Sequence, residues 1–219
     1  MTSDAHHAPL HQQVRDYYTG KLREFGPTPR GVDWRDGESQ EIRFAQLMQI
    51  CGDARTGSLI ELGCGYGALY SYLRRHGWDL DYSGYDLSEE MVHAARATLG
   101  ADARAKVSVG GRPGESADYC VASGIFNVRF AFSDAQWRRY LLDTLDDMAT
   151  AARKGFAFNA LTRFSDPERM DPRLYYADPG DLLTHCLSTY GRRVSLVHGY
   201  GVYEFTILVW KGDIRDPPP

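Results

Sequence analysis

The sequence predicts an α/β protein with a mostly parallel sheet of seven strands and helices on both faces. First, a short buried strand ends near Ile60, and three glycines at alternate positions and a helix pattern follow it. Second, strand and helix patterns alternate along the rest of the chain, as in βαβ units. Third, the last two strands are joined only by Gly199-Tyr200-Gly201-Val202. So short a connection requires a hairpin, which makes the last strand antiparallel.

Composition narrows the class of protein. The chain has 219 residues, of which 43% are hydrophobic and 25% charged, so it suits one globular domain with a sizeable core. A net charge of −4 gives no basic surface for nucleic acid or an anionic membrane. No apolar run has the length of a membrane span or resembles a signal peptide, and the four cysteines lack metal-ligand spacing. We therefore expect a cytoplasmic monomer or homodimer with no membrane partner, nucleic-acid partner or metal site.

Two helix patterns precede the first strand, separated by a break at Gly26-Pro27-Thr28-Pro29. Apolar residues at helical spacing predict these helices over residues 10–25 and 38–51. We expect the first nine residues, which are mostly polar, to be frayed. Two helices ahead of the sheet exceed what a minimal nucleotide-binding sheet needs. Residues 1–56 are therefore predicted to form a helical N-terminal extension within the same domain as residues 57–219.

The glycine loop reads Ile60-Glu61-Leu62-Gly63-Cys64-Gly65-Tyr66-Gly67-Ala68. Glycines between a strand and a helix N-terminus bring backbone N–H groups and the positive end of a helix dipole into one crevice. The spacing of Gly63, Gly65 and Ala68 also fits the dinucleotide fingerprint, so a nicotinamide or flavin cofactor stays open at this point. Glu61 adds a constraint, because a carboxylate in an apolar strand end needs a partner.

A second acidic residue stands at the end of the next strand, predicted over residues 79–86. Asp86 follows Gly63 at about the spacing at which an acid meets ribose hydroxyls in dinucleotide sites. A carboxylate suits this task because it accepts the hydrogens of both hydroxyls. Ser88 then provides an N-cap for a helix over residues 89–99.

The strings E-L-G-C-G-Y-G at residues 61–67 and Y-D-L-S-E-E-M at residues 85–91 resemble the first two motifs of class I S-adenosylmethionine-dependent methyltransferases, which have a Rossmann-like fold. The resemblance extends over roughly residues 57–211, and a closing antiparallel hairpin is characteristic of that fold. It implies S-adenosylmethionine as the cofactor, with the glycine loop behind its methionine part and Glu61 near its amino group. It further implies that residues 1–56 are a helical N-terminal cap, which would cover the cofactor and shape the substrate pocket, and that residues 57–219 are the class I methyltransferase domain. The cofactor-binding candidates are Tyr18, Trp34, Arg43, Glu61, Gly63, Cys64, Gly65, Asp86, Leu87, Met91, Ser123 and Gly124.

The sequence departs from the family after its third strand, predicted over residues 105–109. An acidic or amide residue is expected there to read the adenine amino group, but the chain offers Gly110-Gly111-Arg112-Pro113-Gly114-Glu115. The contact with the adenine amino group is therefore left either to backbone carbonyls of this loop or to the Glu115 side chain. The later elements are predicted as strands over 118–123, 156–161, 194–198 and 203–211 and helices over 134–153 and 179–190.

Ligands of open parallel sheets lie at the carboxyl ends of strands near the switch point. The turn after the fourth strand therefore faces the transferable methyl, which makes Asn127 a candidate for orienting substrate or merely for capping the loop. The insertion over residues 162–178 leaves the same sheet edge and carries Tyr176. His198 is the titratable candidate for a base, with a histidine packed in the hairpin as the alternative. The catalytic candidates are Asn127, Tyr176 and His198.

We therefore predict an enzyme that methylates the nitrogen or oxygen of a small-molecule acceptor by in-line transfer from S-adenosylmethionine. Two alternatives remain open. A NAD(P)-dependent oxidoreductase is disfavoured by the terminal hairpin and by Glu61. A non-catalytic module that binds S-adenosylmethionine would bind the cofactor without turnover.

Overall fold

A computed structural model describes residues 3–213 and residue 215, and side chains from residue 7 onward. Residues 1, 2, 214 and 216–219 lie outside this description. The strands are β1 (Thr56–Leu62), β2 (Asp79–Asp86), β3 (Ala105–Val109), β4 (Ala117–Ala122), β5 (Ala152–Leu161), β6 (Val194–Val197) and β7 (Glu204–Trp210). The helices are α1 (Ser3–Phe25), α2 (Gly37–Leu47), α3 (Ala68–Arg75), α4 (Glu89–Leu99), α5 (Asp134–Ala151) and α6 (Pro179–Thr189).

The strands form one sheet in the order β3-β2-β1-β4-β5-β7-β6. The pairs among β3, β2, β1, β4 and β5 are parallel, whereas β7 runs antiparallel to both β5 and β6. The predicted fold class and the terminal hairpin are thereby confirmed. From β1 the strand order proceeds to β2 and β3 on one side and to β4 and β5 on the other, so the carboxyl ends of β1 and β4 form the switch point at which open α/β sheets bind ligands.

The core has two layers because successive side chains of a strand point to opposite faces of the sheet. Ile60 contributes to the layer that contains α5 and α6, together with Leu10 of α1. Leu59 contributes to the layer that contains α2, α3 and α4. Helices therefore cover both faces, as predicted. No helix among the described residues is both long and apolar enough to span a bilayer.

The beginning of α1 differs from the sequence prediction. The helix starts at Ser3, so the segment up to residue 9 that is described is helical rather than frayed. His7 is buried, with its Nε2 atom 2.9 Å from Oδ2 of Asp143 on α5. Its ring also meets the ring of Tyr140 edge-on at 5.4 Å. These partners lie far along the chain, and local sequence patterns therefore gave no sign of them.

Two further boundaries of helices and strands differ from the sequence prediction. The second helix pattern ends as an α-helix at Leu47 and continues as a 3₁₀ helix over Met48–Cys51. α5 ends at Ala151, and β5 begins at once with Ala152, which pairs with Ala117 of β4. β5 therefore begins four residues earlier than its apolar pattern predicts, because hydrogen-bonded pairing with β4 extends the strand back to Ala152.

The insertion between β5 and α6 lies on the turn that follows β4. The Tyr175 N–H donates to the Asn127 carbonyl at 2.8 Å, and the Arg129 N–H donates to the Arg173 carbonyl at 2.9 Å. Beneath this turn, the Trp137 indole N–H donates to the Phe126 carbonyl at 2.8 Å. α5 and the insertion thus hold the turn from two sides, close to the switch point.

We expect Trp137→Phe to lower the free energy of unfolding by about 1–3 kcal/mol, because the Phe126 carbonyl would lose its partner in a buried position. Chemical denaturation measures this loss. Trp78→Phe is the matched control, since Trp78 is also buried but donates no hydrogen bond from its indole to the described residues. Equal losses in the two variants would mean that the bond to Phe126 contributes nothing measurable.

Candidate functional site

A cavity with about 900 Å³ of empty space, part of which is open to solvent, lies at the carboxyl ends of β1, β2 and β4. The glycine loop, the end of β2 and the turn after β4 form its floor, and α1, α2 and the loop between them form its roof. It is lined by Val14, Arg15, Tyr18, Val32, Trp34, Gln40, Phe44, Glu61, Leu62, Gly63, Cys64, Gly65, Tyr66, Ala68, Asp86, Leu87, Met91, Gly110, Gly111, Ser123, Gly124, Ile125 and Tyr140.

The glycine loop is held against β2 by its backbone. The N–H groups of Gly63 and Cys64 both donate to the Tyr85 carbonyl, at 2.8 and 3.0 Å. Gly63 has a φ of +70°, and a Cβ there would lie 2.2 Å from Cγ2 of Ile125. Glycine is therefore required at this position both by the backbone conformation and by the close approach of the turn after β4.

Asp86 ties three backbone segments together. Its Oδ2 accepts from the Gly65 N–H and its Oδ1 from the Ser88 N–H, each at 2.9 Å. Burial raises the pKa of Asp86, and the backbone donors, among them Ser88 and Gly65, oppose that rise. A carboxylate has four lone pairs, so Asp86 can still accept from a ligand hydroxyl beside these backbone donors.

Glu61 is a carboxylate that lacks a cation. Only 2% of its surface is exposed, and the Tyr82 hydroxyl donates to its Oε2. No lysine, arginine or histidine among the described residues forms an ion pair with it. Burial therefore raises the pKa of Glu61 to about 8, although the Tyr82 hydrogen bond opposes the rise. A positively charged ligand in the cavity would restore the charged form.

The cap forms the opposite wall. α1 contacts the start of α4, where Thr19 Oγ1 and Ser88 Oγ lie 2.7 Å apart. Lys21 of α1 pairs with Asp33 at 2.9 Å, which fixes the loop that carries Trp34. The Trp34 ring lies directly on Gly124, because a Cβ at Gly124 would be 2.5 Å from Cζ2 of the indole.

No cavity-lining tyrosine or cysteine is a base at neutral pH. Burial raises the pKa of Tyr18 well above its usual range and that of Tyr140 to about 12. Burial likewise raises the pKa of Tyr66 and of the Cys64 thiol. These side chains therefore keep their protons and serve as hydrogen-bond donors or apolar walls.

Eleven of the twelve predicted cofactor-binding residues line the cavity, counted from the lining residues given above. The exception is Arg43, which lies behind Trp34, with its guanidinium 4.1 Å from the indole ring centroid. Glu115 does not reach the cavity, because it pairs with Lys106 at 2.8 Å on the surface. Gly110 and Gly111 therefore bring main-chain groups, and no acidic side chain, to this part of the wall.

The three predicted catalytic residues do not line the cavity. Asn127 is buried under the insertion, and its Oδ1 has no hydrogen-bond partner among the described residues. Tyr176 accepts from the Asp171 N–H within the insertion at 2.9 Å. His198 is exposed on the hairpin beside Phe164, at a ring distance of 6.4 Å. Their assignment to catalysis rested on their positions at strand ends and loops and, for His198, on its titratable side chain.

Sequence reasoning missed several lining residues. Val14 stands one helical turn before Tyr18, so the spacing of α1 was a usable signal for it. Tyr66 lies within the glycine loop and donates to Gln40 of α2 at 3.0 Å. Ile125, Phe44 and Tyr140 carried no local signal, because apolar residues line cavities and cores alike.

Metal and disulfide chemistry find no support among the described residues. No three histidine, cysteine, aspartate or glutamate side chains there come together as a metal site. All four cysteines are buried and free.

Comparisons with known proteins agree with this geometry. A family model described as "Methyltransferase domain" matches residues 59–155. A Mycobacterium tuberculosis (strain H37Rv) protein named "Putative methyltransferase Rv1506c" is 48% identical over 164 residues, which are 75% of this chain and 99% of that protein.

Two solved structures share the fold at low identity. Magnesium protoporphyrin IX methyltransferase from Synechocystis PCC 6803 with bound SAH has a TM-score of 0.66 and 16% identity, over 92% of this chain and 99% of that one. Human N-acetylserotonin methyltransferase in complex with SAM has a TM-score of 0.55 and 16% identity, over 88% of this chain and 62% of that one.

We expect Glu61→Gln to stabilise the ligand-free protein above pH 8 by about 5 kcal/mol relative to the wild type. Folding raises the pKa of Glu61 from 4.5 to about 8, so the folded protein holds this proton more tightly than the unfolded chain does. Wild-type stability should therefore fall, relative to the variant, as pH rises from 4.5 to 8. Urea denaturation at several pH values measures the difference.

Glu115→Gln is the matched control, because the Lys106 pair lowers the pKa of Glu115. This surface change should alter stability by no more than about 1 kcal/mol, and not in favour of the variant at high pH. A difference between wild type and Glu61→Gln that does not change with pH would contradict the raised pKa of Glu61.

Proposed function

Because the chain belongs to the class I S-adenosylmethionine-dependent methyltransferases, we propose that it methylates a small molecule held between Tyr18, Trp34 and the turn after β4. The observation that carries this proposal is the continuity of the cavity. It runs from the glycine loop and Asp86 to an apolar end under the cap, so that one space can hold cofactor and acceptor side by side.

The cavity residues fit S-adenosylmethionine. Glu61 supplies a buried carboxyl group without a protein cation, and the amino group and sulfonium of the cofactor would favour its charged form. Asp86 retains lone pairs for the ribose hydroxyls. The Ser123 hydroxyl is buried in the wall and has no hydrogen-bond partner within the described residues. When bound, the cofactor supplies a methyl group on a positively charged sulfur, which is the difficult part of the chemistry.

The chain's own contribution is to hold and enclose the reactants. Leu87 and Met91 give the adenine end apolar walls, beside the main chain of Gly110 and Gly111. At the other end, Trp34 rests on Gly124 and excludes water from the space beside Ser123. Fixing two reactants in one orientation is the contribution to rate that such a site makes without acid–base groups.

We infer a neutral amine as the acceptor nucleophile. The lining tyrosines and Cys64 stay protonated at neutral pH, and Glu61 stands at the glycine loop rather than under the cap. An amine nitrogen needs no base before attack, whereas a hydroxyl usually does. The aromatic rings of the wall also favour the positive charge that an amine develops.

Relatives support a small acceptor without identifying it. Magnesium protoporphyrin IX and N-acetylserotonin, named for two structural neighbours, are both small molecules. Since a sequence identity of 16% supports only a shared fold, neither molecule is assigned to this chain as its acceptor. We retain the division into a cap over residues 1–56 and a methyltransferase domain over residues 57–219 as part of the proposal.

We expect S-adenosylmethionine and S-adenosylhomocysteine to bind with micromolar affinity and NAD not to bind. Asp86→Ala should weaken binding of S-adenosylhomocysteine about 5- to 150-fold, or about 1–3 kcal/mol, because ribose hydrogen bonds and the support of Gly65 are both lost. Isothermal titration calorimetry measures these affinities. Asp79→Ala, on the same strand but paired with Arg104 at the surface, should change affinity less than twofold. Tighter binding of NAD than of S-adenosylmethionine would overturn the cofactor assignment.

We expect Tyr18→Phe to lower turnover on the acceptor about tenfold while changing S-adenosylhomocysteine affinity less than threefold, because Tyr18 lines the apolar end of the cavity. An acceptor is first found by screening amines and phenols for transfer of the labelled methyl group. Tyr176→Phe tests the sequence-based prediction that the acceptor lies beside the insertion between β5 and α6. A larger loss of turnover in Tyr176→Phe than in Tyr18→Phe would contradict the proposed acceptor site and place the acceptor beside the insertion.

A further inference from the structure

Three polar side chains form a buried chain behind the apolar end of the cavity. Arg43 of α2 is 8% exposed, and Glu204 of β7 and Asn159 of β5 are fully buried. Nη2 of Arg43 lies 2.9 Å from Oε1 of Glu204, and the Asn159 Nδ2–H donates to Oε2 of Glu204 at 2.9 Å. We call these three residues the buried polar chain.

One end of the buried polar chain supports Trp34. The Arg43 guanidinium lies over the indole at 4.1 Å from the ring centroid. Its Nη1–H donates to the Ser39 carbonyl one helical turn away, which fixes the guanidinium plane. A planar cation held in this way keeps the ring from rotating away from the cavity.

The other end supports Gly124. The Gly124 N–H donates to Oδ1 of Asn159 at 2.7 Å. Gly124 has a φ of +74°, so its backbone conformation is one that only glycine adopts readily. The Asn159 amide thereby fixes the orientation of the first peptide after Ser123.

The two ends meet at the cavity wall, since the Trp34 ring lies where a Cβ of Gly124 would be, 2.5 Å from Cζ2. The cap, β7, β5 and the turn after β4 are therefore joined in a closed circuit. Burying an ion pair is seldom more stabilising than packing apolar side chains in its place. Although Nη2 of Arg43 lies 2.9 Å from Oε1 of Glu204, this contact lacks the angles of a hydrogen bond, and Nε of Arg43 has no acceptor among the described residues, so the ion pair is not optimised for stability.

We propose that Arg43, Glu204 and Asn159 are positioning residues that hold Trp34 against Gly124 and so set where the acceptor lies relative to the methyl group. The acceptor part of this statement rests on the proposed function. None of the three lines the cavity, so they act through Trp34 and Gly124. The position of Trp34 can be measured without an acceptor.

The experiment uses the full chain labelled with 5-fluorotryptophan. Its four tryptophans give four fluorine resonances, which single Trp→Phe variants assign. Arg43→Lys keeps the charge but loses the planar stack, and Glu204→Gln keeps the shape but loses the charge. Each should shift or broaden the Trp34 resonance, with and without S-adenosylhomocysteine, and leave the Trp137 resonance unchanged.

Arg74→Lys is the matched control. Arg74 also lies over an aromatic ring, that of Tyr70 at 5.0 Å, and pairs with Asp102 at 3.0 Å, away from the cavity. It should leave the Trp34 resonance as in the wild type. An unchanged Trp34 resonance in both test variants, or the same change in all three variants, would overturn the proposal.

Two further readouts complete the test. In the wild-type protein, the Gly124 amide should exchange with solvent as slowly as the β4 amide of Val121, and fast exchange there would overturn the proposal even if a variant fails to fold. On an acceptor found by screening, Arg43→Lys should lower kcat at least tenfold and change the KM for S-adenosylmethionine less than threefold. If no acceptor is ever methylated, the proposed function fails while the Trp34 result still decides the positioning role.

Discussion

The two hydrogen bonds that Asp86 accepts from Gly65 and Ser88 hold the cavity floor together. The glycine loop leaves β1 with positive φ at Gly63, Gly65 and Gly67, and the N–H groups at its start find their acceptors on β2. Asp86 provides one at the end of the neighbouring strand and at the same time supports the start of α4. The Tyr85 carbonyl, one residue earlier, accepts from Gly63 and Cys64. Two consecutive residues of β2 thus determine the shape of the loop.

The same floor holds two buried carboxyl groups, those of Glu61 and Asp86, for which the described part of the protein provides no cation. Burial raises the pKa of both Glu61 and Asp86, which means that the ligand-free fold tolerates these carboxylates at a cost in stability. Such a cost is typical of sites that are organised in advance for a ligand. A cofactor with an amino group, a sulfonium and ribose hydroxyls relieves it, and this is the physical basis of the preference for S-adenosylmethionine.

The cap is attached to the domain by contacts of two kinds. α1 places Leu10 in the core beneath α5 and makes polar contacts along its length, such as His7 with Asp143. α2 packs Phe44 and Leu47 against the other face of the sheet and sends Arg43 to Glu204. The roof of the cavity is therefore joined to the last strand of the sheet, and the position of Trp34 depends on residues at both ends of the chain.

The sequence by itself determined the fold and the cofactor half of the site, because both depend on short-range patterns. Strand and helix periods, glycines with positive φ and a connection too short for a crossover are local, and so are the positions of Glu61 and Asp86 relative to the loop. Only the tertiary structure decided the role of residues whose partners are distant. His7 and Asp143 are 136 positions apart, and no local pattern relates them. Arg43 looked like a cap residue facing the ligand, and Asn127, Tyr176 and His198 looked like residues at a reactive edge, but loop position does not determine which way a side chain points. That direction is set by packing between elements, which is why the apolar end of the cavity became visible only in the folded chain.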